Sequence, residues 1–349
     1  MNNPKFTNKI ILLFFLVLFV FQIHITKINM IFQIPNYDSI NKAKKMNTIN
    51  ELNDIFTELY YKLRGKFILN DKGKKNDSYK NNNYKIMLCS IGKEENLYSK
   101  EFVKYYISLG FDKIIILDNN NLEGERFDDL LKDFISDNLV EIKDIRGLKS
   151  VQIPAFNYCY KNNMYLYDWI AFFDFDEFLF IKDNSNIKKY IFDDKFKKCQ
   201  LIFFTRYFYD DNNLLHYDNR TMIERFTHSN FLPKKGKFIV RGHLKRLLIA
   251  SAHIAVINNY CNSKGDQVYP NSFIALPIEK NPFAYIKHFY TKTVEEYCMK
   301  VNKGDVQFQF SKTNNKTLFK FYFNNFFTYN KKANSKIELL KKCINLNFL

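Results

Sequence analysis

Residues 172–180 read FFDFDEFLF and place Asp174, Asp176 and Glu177 within four positions of one another. In an extended segment side chains alternate, so Asp174 and Asp176 point to one side. Two carboxylates side by side between apolar walls repel unless a cation neutralises them. A hard divalent ion with oxygen ligands, Mn2+ or Mg2+, does so and also holds a diphosphate. A D-x-D string is common in solvated turns, but such turns are seldom walled by Phe172, Phe173, Phe178, Leu179 and Phe180. The expectation is a metal site at Asp174 and Asp176.

A site of this kind needs rigid elements on every side, and the chain supplies them from Tyr84 onward. The apolar run 84–91 reads as a buried strand, and 95–109 carries Tyr98, Phe102 and Leu109 at helical spacing before Gly110 ends it. Strands over 112–117, 139–143 and 168–173 alternate with helices over 126–136 and 150–164. This alternation predicts an α/β fold whose central sheet is mostly parallel and covered on both faces. Ligands of such sheets bind beyond the carboxyl ends of the strands. Ser90, Lys93 and Glu95 stand there after the first strand, Asp118 after the second, and the acidic cluster after the fourth.

A second arm reaches this region from the far end of the chain. Residues 293–303, TVEEYCMKVNK, predict a helix with Thr293 as N-cap and Glu296 completing a capping box. Val294, Tyr297, Cys298 and Val301 fall on one face and predict packing against the core. The strand-like IKHFY before it delivers His288 to the rim of the acidic cluster.

Composition narrows the classes. The chain has 349 residues, 46% hydrophobic and 17% aromatic, enough to bury a sizeable core, and its 10 Gly and 7 Pro exclude collagen-like and Pro-rich architectures. The formal charge of +17 is spread along the chain, without a nucleic-acid-binding signature, and no nucleic-acid partner is expected. Residues 1–85 hold 14 Lys/Arg against 6 Asp/Glu, as befits a basic segment beside anionic lipid. After a tail over 1–9, IILLFFLVLFVFQI begins an apolar stretch over 10–26 that lacks a small-x-small cleavage site and reads as a single-pass signal-anchor. A polar stem follows over 27–83, then a folded domain over 84–310 and a C-terminal helical extension over 311–349. The bulk of the chain lies across the membrane, in a Golgi or ER lumen if the source is eukaryotic. No Cys stands in a C-x-x-C pair. Cys89 and Cys159 read as packed thiols, while Cys199, Cys261, Cys298 and Cys343 are free to pair in an oxidising lumen, with connectivity open.

KEE at 93–95, EFVKYYISLGFDKIIILDN at 101–119, Gln152 and Ala155 on a helix, WIAFFDFDEFL at 169–179, ERF at 224–226 and KHFYTKTVEEYCMKVNKG at 287–304 resemble, in this order, the motifs of GT-A glycosyltransferases, closest to glycosyltransferase family 92 and its family 2-like relatives. The resemblance spans about residues 84–305. It implies a GT-A (Rossmann-like) α/β/α sandwich and transfer of a sugar from a nucleotide-sugar donor, a UDP-sugar first, to a glycan or glycoconjugate acceptor. Asp174 and Asp176 would hold Mn2+ (or Mg2+) against the diphosphate with His288 as a further ligand. Ser90, Lys93, Glu95, Asp118, Gln152 and Asp174 would contact the donor, Asp118 at the nucleoside, and Lys292, Lys300 and Lys303 would be candidates for facing its phosphates. Inversion needs a carboxylate base downstream of the acidic cluster, and Glu224, ahead of Asp266, is the candidate. Two other classes compete. A metal-dependent phosphotransferase or hydrolase needs a nucleophilic Asp or a His/Asp two-metal set, and the six His form no H-x-H or H-x-x-D cluster. A non-catalytic carbohydrate-binding protein with this fold gains nothing from a desolvated carboxylate pair.

Overall fold

The computed structural model describes residues 84–148, 151–245, 247–270, 276–303 and 315–344. The expected anchor over 10–26 and stem over 27–83 lie outside them. Among the described residues no helix is long and apolar enough to cross a membrane.

The chain opens with β1 (Ile86–Gly92), α1 (Asn96–Leu109) and β2 (Lys113–Asp118). Two short helical turns, α2 (Phe127–Leu130) and α3 (Lys132–Ser136), precede β3 (Val140–Asp144). The single helix expected over 126–136 is broken because Leu131 leaves helical geometry, at φ −111° and ψ 19°. Then come α4 (Gln152–Asn163), β4 (Trp169–Phe172), β5 (Glu177–Ile181) and α5 (Ile187–Ile191). They are followed by β6 (Leu201–Tyr209), α6 (Met222–Arg225), β7 (Ser229–Arg241), β8 (Leu248–Ser251), β9 (Ile254–Val256), β10 (Tyr260–Cys261) and β11 (Gln267–Val268). Last are β12 (Ala284–His288), α7 (Val294–Lys303), α8 (Asn315–Tyr329) and α9 (Asn334–Ile344).

Ten strands form one sheet in the order β11-β10-β6-β7-β4-β1-β2-β3, with β12 joined to β6 and β5 to β12. β3, β2, β1 and β4 are parallel neighbours, as the strand–helix alternation requires. β7 then enters antiparallel between β4 and β6, so the sheet is mixed though mostly parallel. Period-two alternation sends Ile86, Leu88, Ile114, Ile116, Trp169 and Ala171 to one face, under Phe102 and Tyr106 of α1 and Ile187 and Tyr190 of α5. Met87, Cys89, Ile115, Leu117, Ile170 and Phe172 go to the other, against Phe156, Cys159 and Tyr160 of α4. That is an α/β fold with both faces of the sheet covered.

Val294, Tyr297, Cys298 and Val301 of α7 do share a buried face, but they pack on Phe326, Leu340 and Ile344 of α8 and α9 in a separate third core. None of the six cysteines is free: Cys89–Cys159, Cys199–Cys261 and Cys298–Cys343 are bridged. The packed thiols expected at Cys89 and Cys159 are thus a disulfide. Both point into the interface between β1 and α4, and packing strand on helix brings together two residues 70 apart in sequence.

Candidate active site

The acidic segment is a turn, not the extended strand its alternation suggested. β4 ends at Phe172, and Glu177 N–H donates to the Asp174 carbonyl at 3.0 Å, closing a tight reversal into β5. The Glu177 carboxylate in turn accepts from Asp174 N–H at 3.1 Å. Phe175, between the two aspartates, is driven into the core and stacks on Phe127 with ring centres 5.2 Å apart. Burying such a ring contributes ~1.5–3 kcal/mol to holding the turn. Gly92 makes room for it, since a Cβ there would stand 2.5 Å from Phe127 and 2.7 Å from Phe175.

A cleft of about 290 Å³ opens beyond the carboxyl ends of β1 and β4. Lys93 and Glu95 line it after β1, Gln152 at the start of α4, and Asp174 and Asp176 in the turn. Arg206 reaches it from β6, His253 from the β8–β9 turn, His288 and Tyr290 from the end of β12, Tyr297 and Lys300 from α7, and Tyr322 from α8. Of the residues expected to form the site, Lys93, Glu95, Gln152, Asp174, Asp176 and His288 are therefore brought together. Ser90 and Asp118 are not among the lining residues. Ser90 is buried and donates to the Phe173 carbonyl at 2.8 Å, tying β1 to the segment after β4. Asp118 accepts from Asn120 N–H at 3.0 Å, and burial raises its carboxyl above the ordinary range.

The two candidate bases stand elsewhere. Glu224 is exposed and closes the N-terminal capping box of α6 with Thr221, whose hydrogen bonds lower its carboxyl. Asp266 is exposed in the β10–β11 turn, bonded to Asn262 at 3.0 Å. Each is explained by local turn chemistry.

Sequence reasoning missed Lys237 and Arg206, and it read Lys292 and Lys300 as facing phosphate without seeing that Asp176 holds them. Lys237 of β7, with its side chain fully buried, donates to Asp174 at 2.7 Å and lies 3.2 Å from Glu177. Arg206 Nη1 meets Glu177 at 2.9 Å. Lys300 donates to Asp176 Oδ2 at 2.7 Å, and Lys292 stands 3.7 Å from the same oxygen. His288 Nε2 is 3.2 Å from Asp176 Oδ1. Burial alone would lift the Asp176 carboxyl, but Lys300, His288 and Lys292 overcome it and hold the group well below the carboxylate range. Burial would likewise pull down Lys237, yet Asp174 and Glu177 keep its ammonium above the ordinary value. Burial, reinforced by Lys237 and Arg206, takes His253 down to about 3, so its imidazole is neutral. Its Nδ1 lies 2.9 Å from the Gly236 carbonyl, which can only accept. Nδ1 therefore carries the proton and Nε2 the lone pair.

This arrangement bears on the metal expectation. The charge a divalent ion was to neutralise is already met by lysine and arginine. As folded, one oxygen of Asp174 and one of Asp176 accept from ammonium groups, while Asp174 Oδ1 accepts from the Gln152 amide and Asp176 Oδ1 from His288 Nε2. A divalent ion about 4 Å from an ammonium is repelled by ~8 kcal/mol at an effective dielectric of 20, twice the figure for unit charges. Among the described residues no group of three or more His, Cys, Asp or Glu side chains is disposed to hold a metal. The donor set does not fit the ion.

Arg206 had a legible signal, a guanidinium inside the aromatic strand LIFFTRYFY. Lys237 had a weaker one, a lysine abutting the apolar run FIV on a chain where lysine is everywhere.

Among solved structures, S. aureus TarS 1–349 in complex with UDP-GlcNAc is similar over 75% of this chain and 72% of that one, at 9% identity and a TM-score of 0.39. A second S. aureus TarS structure matches over 70% of this chain and 43% of its own length, at 9% identity and a TM-score of 0.33. At these values no residue or role is transferred from either. No curated protein matches the chain. The glycosyltransferase family 92 model matches residues 84–320, which takes in β1 through β12, α7 and every residue that lines the cleft except Tyr322. With two thirds of its sequence under that one match, the chain belongs to glycosyltransferase family 92.

Proposed function

We propose that the chain transfers a sugar from a nucleotide-sugar donor to a glycan or glycoconjugate acceptor, with inversion. The observation that carries the reading is the cleft at the carboxyl ends of the parallel strands, where carboxylates, cations and neutral imidazoles meet an aromatic wall of Tyr290, Tyr297 and Tyr322. Ligands of α/β sheets bind at that place. Lys93, Lys300 and Arg206 face the donor's phosphates, and the tyrosines offer stacking surface to its base or sugar. Asp176 holds Lys300 and Glu177 holds Arg206 in place. Since Glu224 and Asp266 stand outside the cleft, we assign to His253, whose Nε2 carries the lone pair, the hydrogen bond that orients the acceptor hydroxyl; an imidazole held at about 3 is too weak a base to keep that proton. A UDP-sugar is the first donor to try.

The same reading keeps the segment over 10–26 as a signal-anchor and 27–83 as a stem, which places the catalytic domain across a membrane. Three disulfides support an oxidising compartment for it.

The test is turnover of radiolabelled UDP- and GDP-sugars by the purified full-length chain in detergent, with Asp176→Asn beside it. Substitution leaves Lys292 and Lys300 without their counter-ion, so the melting temperature should fall, and turnover, read well below that melt, should drop by about a hundredfold or more. Wild-type turnover in Asp176→Asn would remove the acidic turn from the reaction.

A further inference from the structure

We propose that the cleft binds the diphosphate of its donor through its own cationic side chains, Lys300 and Arg206 foremost, without a divalent metal ion. This rests on the nucleotide-sugar reading above and sharpens it.

The first support is charge. Asp174, Asp176 and Glu177 are contacted by Lys237, Lys292, Lys300 and Arg206, four permanent cations against three carboxylates, in a largely buried cluster. One positive charge is left over. A divalent cation would raise that excess to three, whereas a diphosphate brings the opposite sign.

Unfinished hydrogen bonding is the second. Arg206 Nη1 is spent on Glu177, but its Nε–H is buried without a partner. Buried donors in this state are rare and call for an acceptor. Lys300 is spent on Asp176 and on the Tyr290 carbonyl at 3.1 Å, two of the three protons an ammonium carries. Its side chain is 26% exposed, the most open of the four cations at the turn. His288 donates through Nε2, so its buried, unpartnered Nδ1 is an acceptor and suits a hydroxyl of the same ligand.

Backbone geometry adds a third. Lys292 is 3% exposed and holds φ at +53°, a conformation that L side chains rarely adopt. Strain of this sort persists where surrounding contacts fix it, and here they are Asp176 and the Tyr98 ring, 4.4 Å below the ammonium. The chain thus stations a second lysine behind Lys300, at the place the metal reading leaves for an ion.

The experiment is calorimetric titration of the full-length chain with UDP and, separately, with inorganic pyrophosphate, after EDTA treatment and again with added Mn2+. Both probes should bind in EDTA, with affinity changed less than about threefold by Mn2+. Lys300→Met, which keeps the aliphatic stem, should weaken pyrophosphate by about tenfold or more, and Lys300→Arg should restore it. Arg206→Met is the second variant, should Lys300→Met melt early. Pyrophosphate that binds only with Mn2+, or as tightly to both methionine variants as to wild type, overturns the proposal. Pyrophosphate bound in EDTA with no binding of UDP, or of GDP tried in its place, upholds the cationic cradle and sinks the nucleotide-sugar reading instead.

Discussion

The Arg225–Glu296 pair and the cleft network are both buried ion clusters made of the same groups, and they are finished differently. Arg225 and Glu296 meet in a two-pronged bond at 2.6 and 3.0 Å, with side chains 1% and 0% exposed. Tyr98 O–H, Thr293 N–H and the Arg220 carbonyl take up remaining valences, so α1, α6 and α7 are clamped by a closed set. In the cleft, Asp174 is 32% exposed, and Arg206 Nε and His288 Nδ1 are left open. A buried pair whose every polar side-chain atom has a partner has nothing to offer a ligand. A buried cluster with open valences at a cleft rim is stable enough to wait for one.

Breaking the closed pair should have the largest effect on folding. Arg225→Ala leaves Glu296 buried with half its partners, and the expected destabilisation is ~3–5 kcal/mol by urea unfolding. The double variant Arg225→Met with Glu296→Leu should recover most of that loss. If Arg225→Ala unfolds at the wild-type denaturant midpoint, the pair is not the clamp described.

Acid should separate the two regions next. His253 has its imidazole at about 3 in the folded chain, against about 6.5 when unfolded. The unfolded chain takes up the proton first, so stability present above about pH 6.5 is lost as pH falls from there towards 3. Asp176, held low, adds a loss below about pH 4 as its carboxyl protonates in the unfolded chain first. Thermal melts from pH 7.5 down to 4 should show a falling midpoint, and His253→Gln should flatten the slope between about pH 6.5 and 5. An unchanged slope in that variant would mean that the imidazole is charged in the fold.

The smallest effect is expected at Glu224, outside both networks. Glu224→Gln should leave turnover within about twofold and lower the melting temperature only slightly, through its weakened capping box. A loss of turnover by orders of magnitude would return Glu224 to the catalytic role its position in the chain suggested.

The parallel half of the sheet was legible because its strands are continuous apolar runs cut by Gly and polar loops, a local signal. So was the box of Thr293 with Glu296, seen at 3.2 Å in both directions, and so was the approach of His288 to Asp176. Two of the cations were not. Lys237 and Arg206 reach the acidic turn only because β7 inserts antiparallel between β4 and β6, a pairing with no local marker. The Cys89–Cys159 bridge was hidden for the same reason, since it depends on which helix lies over β1.

The acidic turn also has a history within each round of synthesis. Asp176 and Lys300 are 124 residues apart, so at ~5–20 residues per second the ribosome delivers the carboxylates about 6 to 25 s before the last ammonium. During that interval the emerging domain carries an acidic knot with only some of its counter-charges, and the Cys298–Cys343 bridge, which fastens the lysine-bearing helix, must wait still longer. A chain that stops short of Lys292 therefore leaves Asp176 with neither of its lysines, a chemical mark by which the unfinished protein differs from the finished one.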